Sequence, residues 1–212
     1  MTQKIHQKSE RRAIIHSMLK TLESRDNVAG SHADRMGDLM EMMGRKLRLP
    51  RREIADLRLF AKFHDIGKVG VPDSILKKPG PLTEEEMSVM RLHCEIGYRI
   101  AKVSPDMELF ADLILRHQEH WDGGGYPLGI SENSIPLPCR ILGIVDAYDA
   151  MTNDRPYRKA MMPDEALAEL RRCAGTQFDP DLVELFASQV ESALQKRCCA
   201  SLHSSISNGW EN

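Results

Sequence analysis

Apolar residues recur along this chain every three or four positions and almost never alternate with polar ones, the rhythm of helices. A charged amphipathic helix is predicted over 3–23, with Ile5, Ile14, Ile15, Met18, Leu19 and Leu22 as its apolar members. A second covers 31–47. Pro50 breaks the chain, and a third helix, 52–66, carries Ile54, Leu57 and Ala61 along one face. Residues 70–82 hold three prolines and read as an ordered loop. Thr83 and Glu86 have capping-box spacing and open a helix over 84–102. Another spans 106–119. The Gly- and Pro-rich stretch 121–138 reads as a loop of a length that usually carries function. Helices over 139–151 and 163–173 follow. Asp179 and Pro180 supply an N-cap and a first-turn proline for a helix over 180–195. Residues 196–212 show no period and are expected to form a disordered tail.

The pattern therefore predicts an all-α fold, a compact bundle of about seven helices. Residues 1–20 are expected to form a linker-like helix and 21–195 the folded domain. With 42% apolar and 28% charged residues, the chain can build a real core. A net charge of -2 argues against a general nucleic-acid-binding face, and so against DNA or RNA as partners. No apolar run approaches the ~20 residues of a membrane span, and the polar N-terminus lacks a signal-peptide pattern. A cytoplasmic location is expected. Cys94, Cys139 and Cys173 lie singly in apolar segments and read as buried thiols; no CxxC pair occurs.

The candidate chemistry lies where polar residues interrupt apolar stripes. His64 follows Ala61 by three, and Asp65 is next to it, about 100° round the same predicted helix. His93, His117 and Asp146 continue the apolar faces of three other helices. One such histidine is more often a core residue satisfied by a hydrogen bond. Buried carboxylates, however, need a cation or several donors. A shared metal site satisfies all five, and imidazole with carboxylate suits iron, manganese or zinc better than magnesium or calcium.

The blocks "HDIGK" (64–68), "HCEIG" (93–97), "HQEHWDGGGYP" (117–127) and "RILGIVDAYDAMTNDRPYR" (140–158) resemble, in order and spacing, the signature of the HD-GYP family. His32 and "FDPDLV" (178–183) extend the resemblance over about residues 21–190. These proteins are bacterial cyclic di-GMP phosphodiesterases of the HD metallohydrolase superfamily. The resemblance implies a central metal site with His32, His64, Asp65, His93, His117 and Asp146 as ligands, Asp65 bridging two divalent transition-metal ions, iron or manganese. It implies water-driven opening of cyclic di-GMP to pGpG, with slow further cleavage to GMP. Lys68 would join Asp65 in catalysis by meeting a phosphate. Gly125, Tyr126, Pro127, Arg155 and Arg158 would contact the substrate, and the GYP loop would also dock partner proteins.

Two positions depart from the fuller family pattern. A third-metal glutamate and a second adjacent histidine are replaced by Val28 and Gln118. His120 reads as a surface residue. The set retained is that of a two-metal site. The rival readings are a degenerate module that binds nucleotide or protein without turnover, and an HD-type mononucleotidase. The six retained ligands and Lys68 weigh against the first, and the intact GYP loop and RPYR segment against the second.

Overall fold

The computed structural model describes residues 17, 20, 31–154 and 159–207, with the side chains of 31 and 197–207 left aside. The predicted helix 3–23 therefore falls almost wholly outside the described residues, as do Val28, Arg155 and Arg158. What is described is all-helical. Helices α1 (Ser31–Lys46), α2 (Arg51–Phe63), α3 (Asp73–Leu76), α4 (Glu84–Arg91), α5 (His93–Lys102), α6 (Ala111–Arg116), α7 (Leu137–Thr152), α8 (Pro163–Arg172) and α9 (Pro180–Ser207) are joined by 3₁₀ turns at Ile66–Gly70, Glu108–Phe110 and Glu132–Ser134. Among these residues the sole β feature is one isolated bridge, Ala174 with Phe178.

The core follows the predicted stripes. Met36, Met40 and Met43 of α1 close onto Leu57, Phe60 and Ala61 of α2, and all six are buried. Ile141, Leu142, Ile144 and Val145 make α7 the central helix, against which α8 and α9 bring Leu167, Leu170, Val183 and Phe186. The caps behave as read. Thr83 Oγ1 accepts from the Glu86 amide at 3.3 Å while the Glu86 carboxylate accepts from the Thr83 amide at 2.8 Å. Asp179 Oδ1 accepts from the amides of Asp181 and Leu182 at 3.0 and 3.3 Å.

Several boundaries differ from expectation, each for a physical reason. The helix expected over 52–66 stops at Phe63 and tightens into the 3₁₀ turn, so Asp65 does not share a helix with the residues before it. The cause is a backbone crossing at Gly67. A Cβ there would lie 1.8 Å from the His93 carbonyl oxygen and 2.6 Å from the Gly97 amide nitrogen. Helix 84–102 is split at Leu92, and the loop 70–82 contains α3, started by Pro72 and Asp73. These two features raise seven helices to nine among the described residues. The helix expected over 106–119 begins as a 3₁₀ turn and ends at Arg116. The last helix, expected to end at 195, continues to Ser207, since no Gly or Pro interrupts the chain before Gly209. Cys94 and Cys139 are buried, but Cys173, just past the end of α8, is partly exposed.

Gly67→Ala should therefore destabilise the fold by about 1–3 kcal/mol, because the added carbon meets rigid backbone. In a chain of this size that is roughly 2–4 °C in melting temperature per kcal/mol. Gly37→Ala is the control, since its Cβ would meet nothing closer than Arg58 at 3.8 Å. Equal melting temperatures for the two variants would contradict the backbone-contact argument.

Candidate metal centre

Four imidazoles and two carboxylates converge where α1, α2, α5, α6 and α7 meet. Three of the rings are oriented alike. His64 Nδ1 lies 2.9 Å from the Ala61 carbonyl, His93 Nδ1 2.8 Å from that of Met90, and His117 Nδ1 2.7 Å from that of Ile114. A carbonyl only accepts, so each Nδ1 carries the proton and each Nε2 presents a lone pair inward. The His93 and His117 Nε2 atoms stand 3.2 Å apart. Two lone pairs at that distance repel unless a cation lies between them.

Asp65 occupies the middle. Its Oδ2 is 3.2 Å from His64 Nε2 and 2.7 Å from Lys68 Nζ. Its Oδ1 is 3.5 Å from both His93 Nε2 and His117 Nε2. Each oxygen thus serves a different group of imidazoles. On the Oδ2 side, His32, His64 and Asp146 bring one ligand atom each within 4.8 Å of one another. Burial disfavours charge on Asp65, yet the neighbouring Lys68 and His64 hold its carboxyl well below the usual range. Burial opposes a second proton on His64, but Asp65 beside it holds that ring up to about 9, so a cation at Nε2 would have to take the place of a proton. His93 is pushed down to about 4 by burial.

The site fits divalent metal. His64 Nε2 and Asp65 Oδ1 are buried with no hydrogen-bond partner. Unsatisfied acceptors at that depth are costly in the absence of a cation. Cys94 also lies close, its Sγ 3.6 Å from His93 Nε2, but burial pushes its thiol up, so it packs as a neutral group.

The sequence reading missed two residues and misjudged a third. Asp146, expected on the buried stripe of α7, is 37% exposed at its side chain and faces the cleft, 3.8 Å from His32 Nε2. The stripe instead runs Leu142, Val145, Asp149, and Asp149 is the buried carboxylate. It accepts from His32 Nδ1 at 2.6 Å and from Arg35 Nε and Nη2 at 2.6 and 2.9 Å. His32 is thereby held in the same tautomer as the other three, by a carboxylate instead of a carbonyl. Its spacing of one turn from Asp146 in "DAYDA" was the available signal. Burial opposes charge on Asp149, but those donors hold its carboxyl down at about 2.

The GYP loop is sewn to this centre by a second missed residue. Buried Glu119 accepts from the amides of Leu128 at 2.7 Å and Ile130 at 3.1 Å. Gly125 passes so near the chain that a Cβ would lie 2.2 Å from the His120 amide nitrogen. The Tyr126 ring consequently stands 6.4 Å from that of His93, with a cis bond to Pro127. Arg140 joins Asp179 at 2.7 Å and faces the Trp121 ring at 5.7 Å, tying α7 to the start of α9. Beside it a cavity of about 140 Å³ runs from Trp121 and Gln177 past Gln118 and His120 to Asp146. His120 is thus partly buried in its wall.

The chain belongs to the HD-domain family, whose model matches residues 16–182. Within it the signature blocks and the similar proteins make this chain one of the HD-GYP type. It is 39% identical over 166 residues to a cyclic di-GMP phosphodiesterase of Thermotoga maritima, covering 77% of this chain and 45% of that protein. It is 38% identical over 175 residues to the cyclic di-GMP phosphodiesterase response regulator RpfG of Xanthomonas campestris pv. campestris, covering 82% and 46%. The chain thus spans less than half the length of these relatives. Its fold matches a crystal structure of a Vibrio cholerae cyclic GMP-AMP-specific phosphodiesterase with a TM-score of 0.64 at 22% identity, covering 84% of this chain and 48% of that one. No helix among the described residues is long and apolar enough to cross a membrane.

Asp149→Asn keeps the shape of the side chain but weakens its hold on the His32 proton. Losing such an outer partner typically costs 10–100-fold in metal affinity. The variant should stay folded and release metal more readily than the unmodified protein, as read by metal analysis after graded chelation. Unchanged release would contradict the role given to Asp149 in holding His32.

Proposed function

We propose that this chain is the catalytic unit of a metal-dependent phosphodiesterase that opens cyclic di-GMP to pGpG. The observation that carries the proposal is the division of Asp65, with one oxygen toward His32, His64 and Asp146 and the other toward His93 and His117. That arrangement suits two divalent ions sharing one carboxylate, and the mixed imidazole and carboxylate donors favour iron or manganese. Such a pair, when bound, supplies Lewis acidity for in-line attack of water on a phosphodiester.

The chain's own residues do the rest. His32, His64, His93, His117, Asp65 and Asp146 hold the cations. Lys68, paired to Asp65, sits where it also reaches a phosphate oxygen. Gly125, Tyr126 and Pro127 border the nucleotide, with Tyr126 kept a neutral phenol because burial pushes its hydroxyl up to about 12. Arg155 and Arg158 are the further candidates for phosphate contact, by their place in the sequence. The same loop exposes Leu128, a surface a partner protein could use. The reaction belongs in the cytoplasm, where nucleotide second messengers are made. A second substrate, cyclic GMP-AMP, is favoured by the 33% identity over 174 residues to a 3'3'-cGAMP-specific phosphodiesterase of Vibrio cholerae.

The test is to incubate anaerobically purified, metal-analysed protein with each cyclic dinucleotide and separate the products. About two ions per chain are expected, with pGpG accumulating, because Gln118 and Val28 replace the ligands of a third ion that would steady the doubly charged end of pGpG. Rapid conversion to GMP with two ions bound would show that a third is not what limits the second cleavage. Asp65→Ala should lose both ions and all turnover. Arg155→Ala and Arg158→Ala should raise KM with metal content intact, each by the roughly 1.5–3 kcal/mol of a charged hydrogen bond. An unchanged KM in both would remove them from the substrate site.

A further inference from the structure

We infer that Arg91 binds the second, uncleaved phosphate of the cyclic dinucleotide, an inference that rests on the phosphodiesterase reading. Arg91 ends α4, two residues before His93, and lies outside the four signature blocks. Its guanidinium carbon is 5.0 Å from the centre of the Tyr126 ring, which is itself 6.4 Å from the His93 ring. Arg91 is thus one side chain removed from His93, through Tyr126.

The charge of Arg91 is not tied to a carboxylate, as that of several other arginines is. Arg35, Arg58, Arg140 and Arg171 each rest on a carboxylate. Among the described residues no carboxylate pairs with Arg91, whose side chain is exposed and lies on an aromatic face. Lys68, the nearer cation of the site, is 2.7 Å from Asp65 and directed inward. Burial raises the Tyr126 hydroxyl, and the nearby charges of Arg91 and Lys68 oppose that shift.

A cyclic dinucleotide carries two phosphodiesters on one small ring. With one over Asp65, the other has to lie toward the rim. A guanidinium over a tyrosine ring with no carboxylate on it keeps N–H donors available, and their fork matches two phosphate oxygens. The stacking also fixes the side chain before substrate arrives, so less freedom is lost on binding.

The experiment compares Arg91→Ala and Arg91→Lys with the unmodified holoenzyme on two substrates, cyclic di-GMP and bis(p-nitrophenyl) phosphate. The second has a single phosphate and nothing to offer the rim. Arg91→Ala should raise KM for cyclic di-GMP roughly tenfold, the scale of one charge-assisted contact. Its kcat, its metal content and its turnover of the small diester should stay unchanged, and Arg91→Lys should recover part of the loss. Cyclic GMP-AMP should lose the same factor, since it has the same two phosphates. A loss confined to cyclic di-GMP would move Arg91 to a guanine edge and overturn the phosphate assignment. Equal damage on both diesters would reduce Arg91 to a structural role. Binding of cyclic di-GMP that is indifferent to Arg91→Ala would sink this inference alone, whereas no binding of any cyclic dinucleotide by the unmodified protein would sink the phosphodiesterase reading and this inference with it.

Discussion

The centre depends on a backbone contact with no side chain in it. Gly67, two residues beyond Asp65, lies against the His93 carbonyl, and Gly97 sits between that turn and Ile114 of α6, 2.7 Å from where its own Cβ would be. Elements carrying side chains at both positions would be held further apart, and the ring nitrogens would no longer converge on Asp65. The contact also explains why α2 stops where it does. A continued α-helix would carry residue 67 past this crossing, whereas the 3₁₀ turn brings Asp65 and Lys68 onto one side, their charges 2.7 Å apart.

A second consequence of the broken helices concerns proton placement. The last four carbonyls of a helix have no partner within it. Ala61, Met90 and Ile114 lie in the final turns of α2, α4 and α6, and each gives its carbonyl to the imidazole three residues on. Helix ends thus supply the acceptors that fix three tautomers, and no polar side chain need be buried to do it. His32 is the exception: a carboxylate from α7, Asp149, takes the part of the carbonyl and is itself held by Arg35.

This is also where the limit of the sequence lies. The periodicity located the helices, and the residues interrupting apolar stripes were those that converge: His64, His93 and His117 are all buried. Their positions at helix termini were not visible, because a pattern of period 3.6 runs unbroken through Leu92 and through His64. A break enforced by a neighbouring backbone leaves no local mark except the glycine that permits it. Asp146 and Asp149 were likewise inseparable by pattern. They are one turn apart on α7, and which faces the core is set by how α1 packs across it. Glu119 carried no signal at all, since its partners are loop amides.

The electrostatics run in layers from the inside outward. Asp65 and Asp146 put two negative charges into a cluster whose only paired ammonium is Lys68 among the described contacts. Left so, the cleft would repel a phosphodiester. Cations held by those same groups would reverse the sign at the floor, while Arg91 keeps its positive charge outside it whether or not the floor is loaded. An anionic ligand is therefore drawn to the mouth by the protein's own charges but accepted at the floor only when the ligand set is occupied. Affinity for substrate and affinity for metal are for that reason coupled through Asp65, and each should strengthen the other by the same factor.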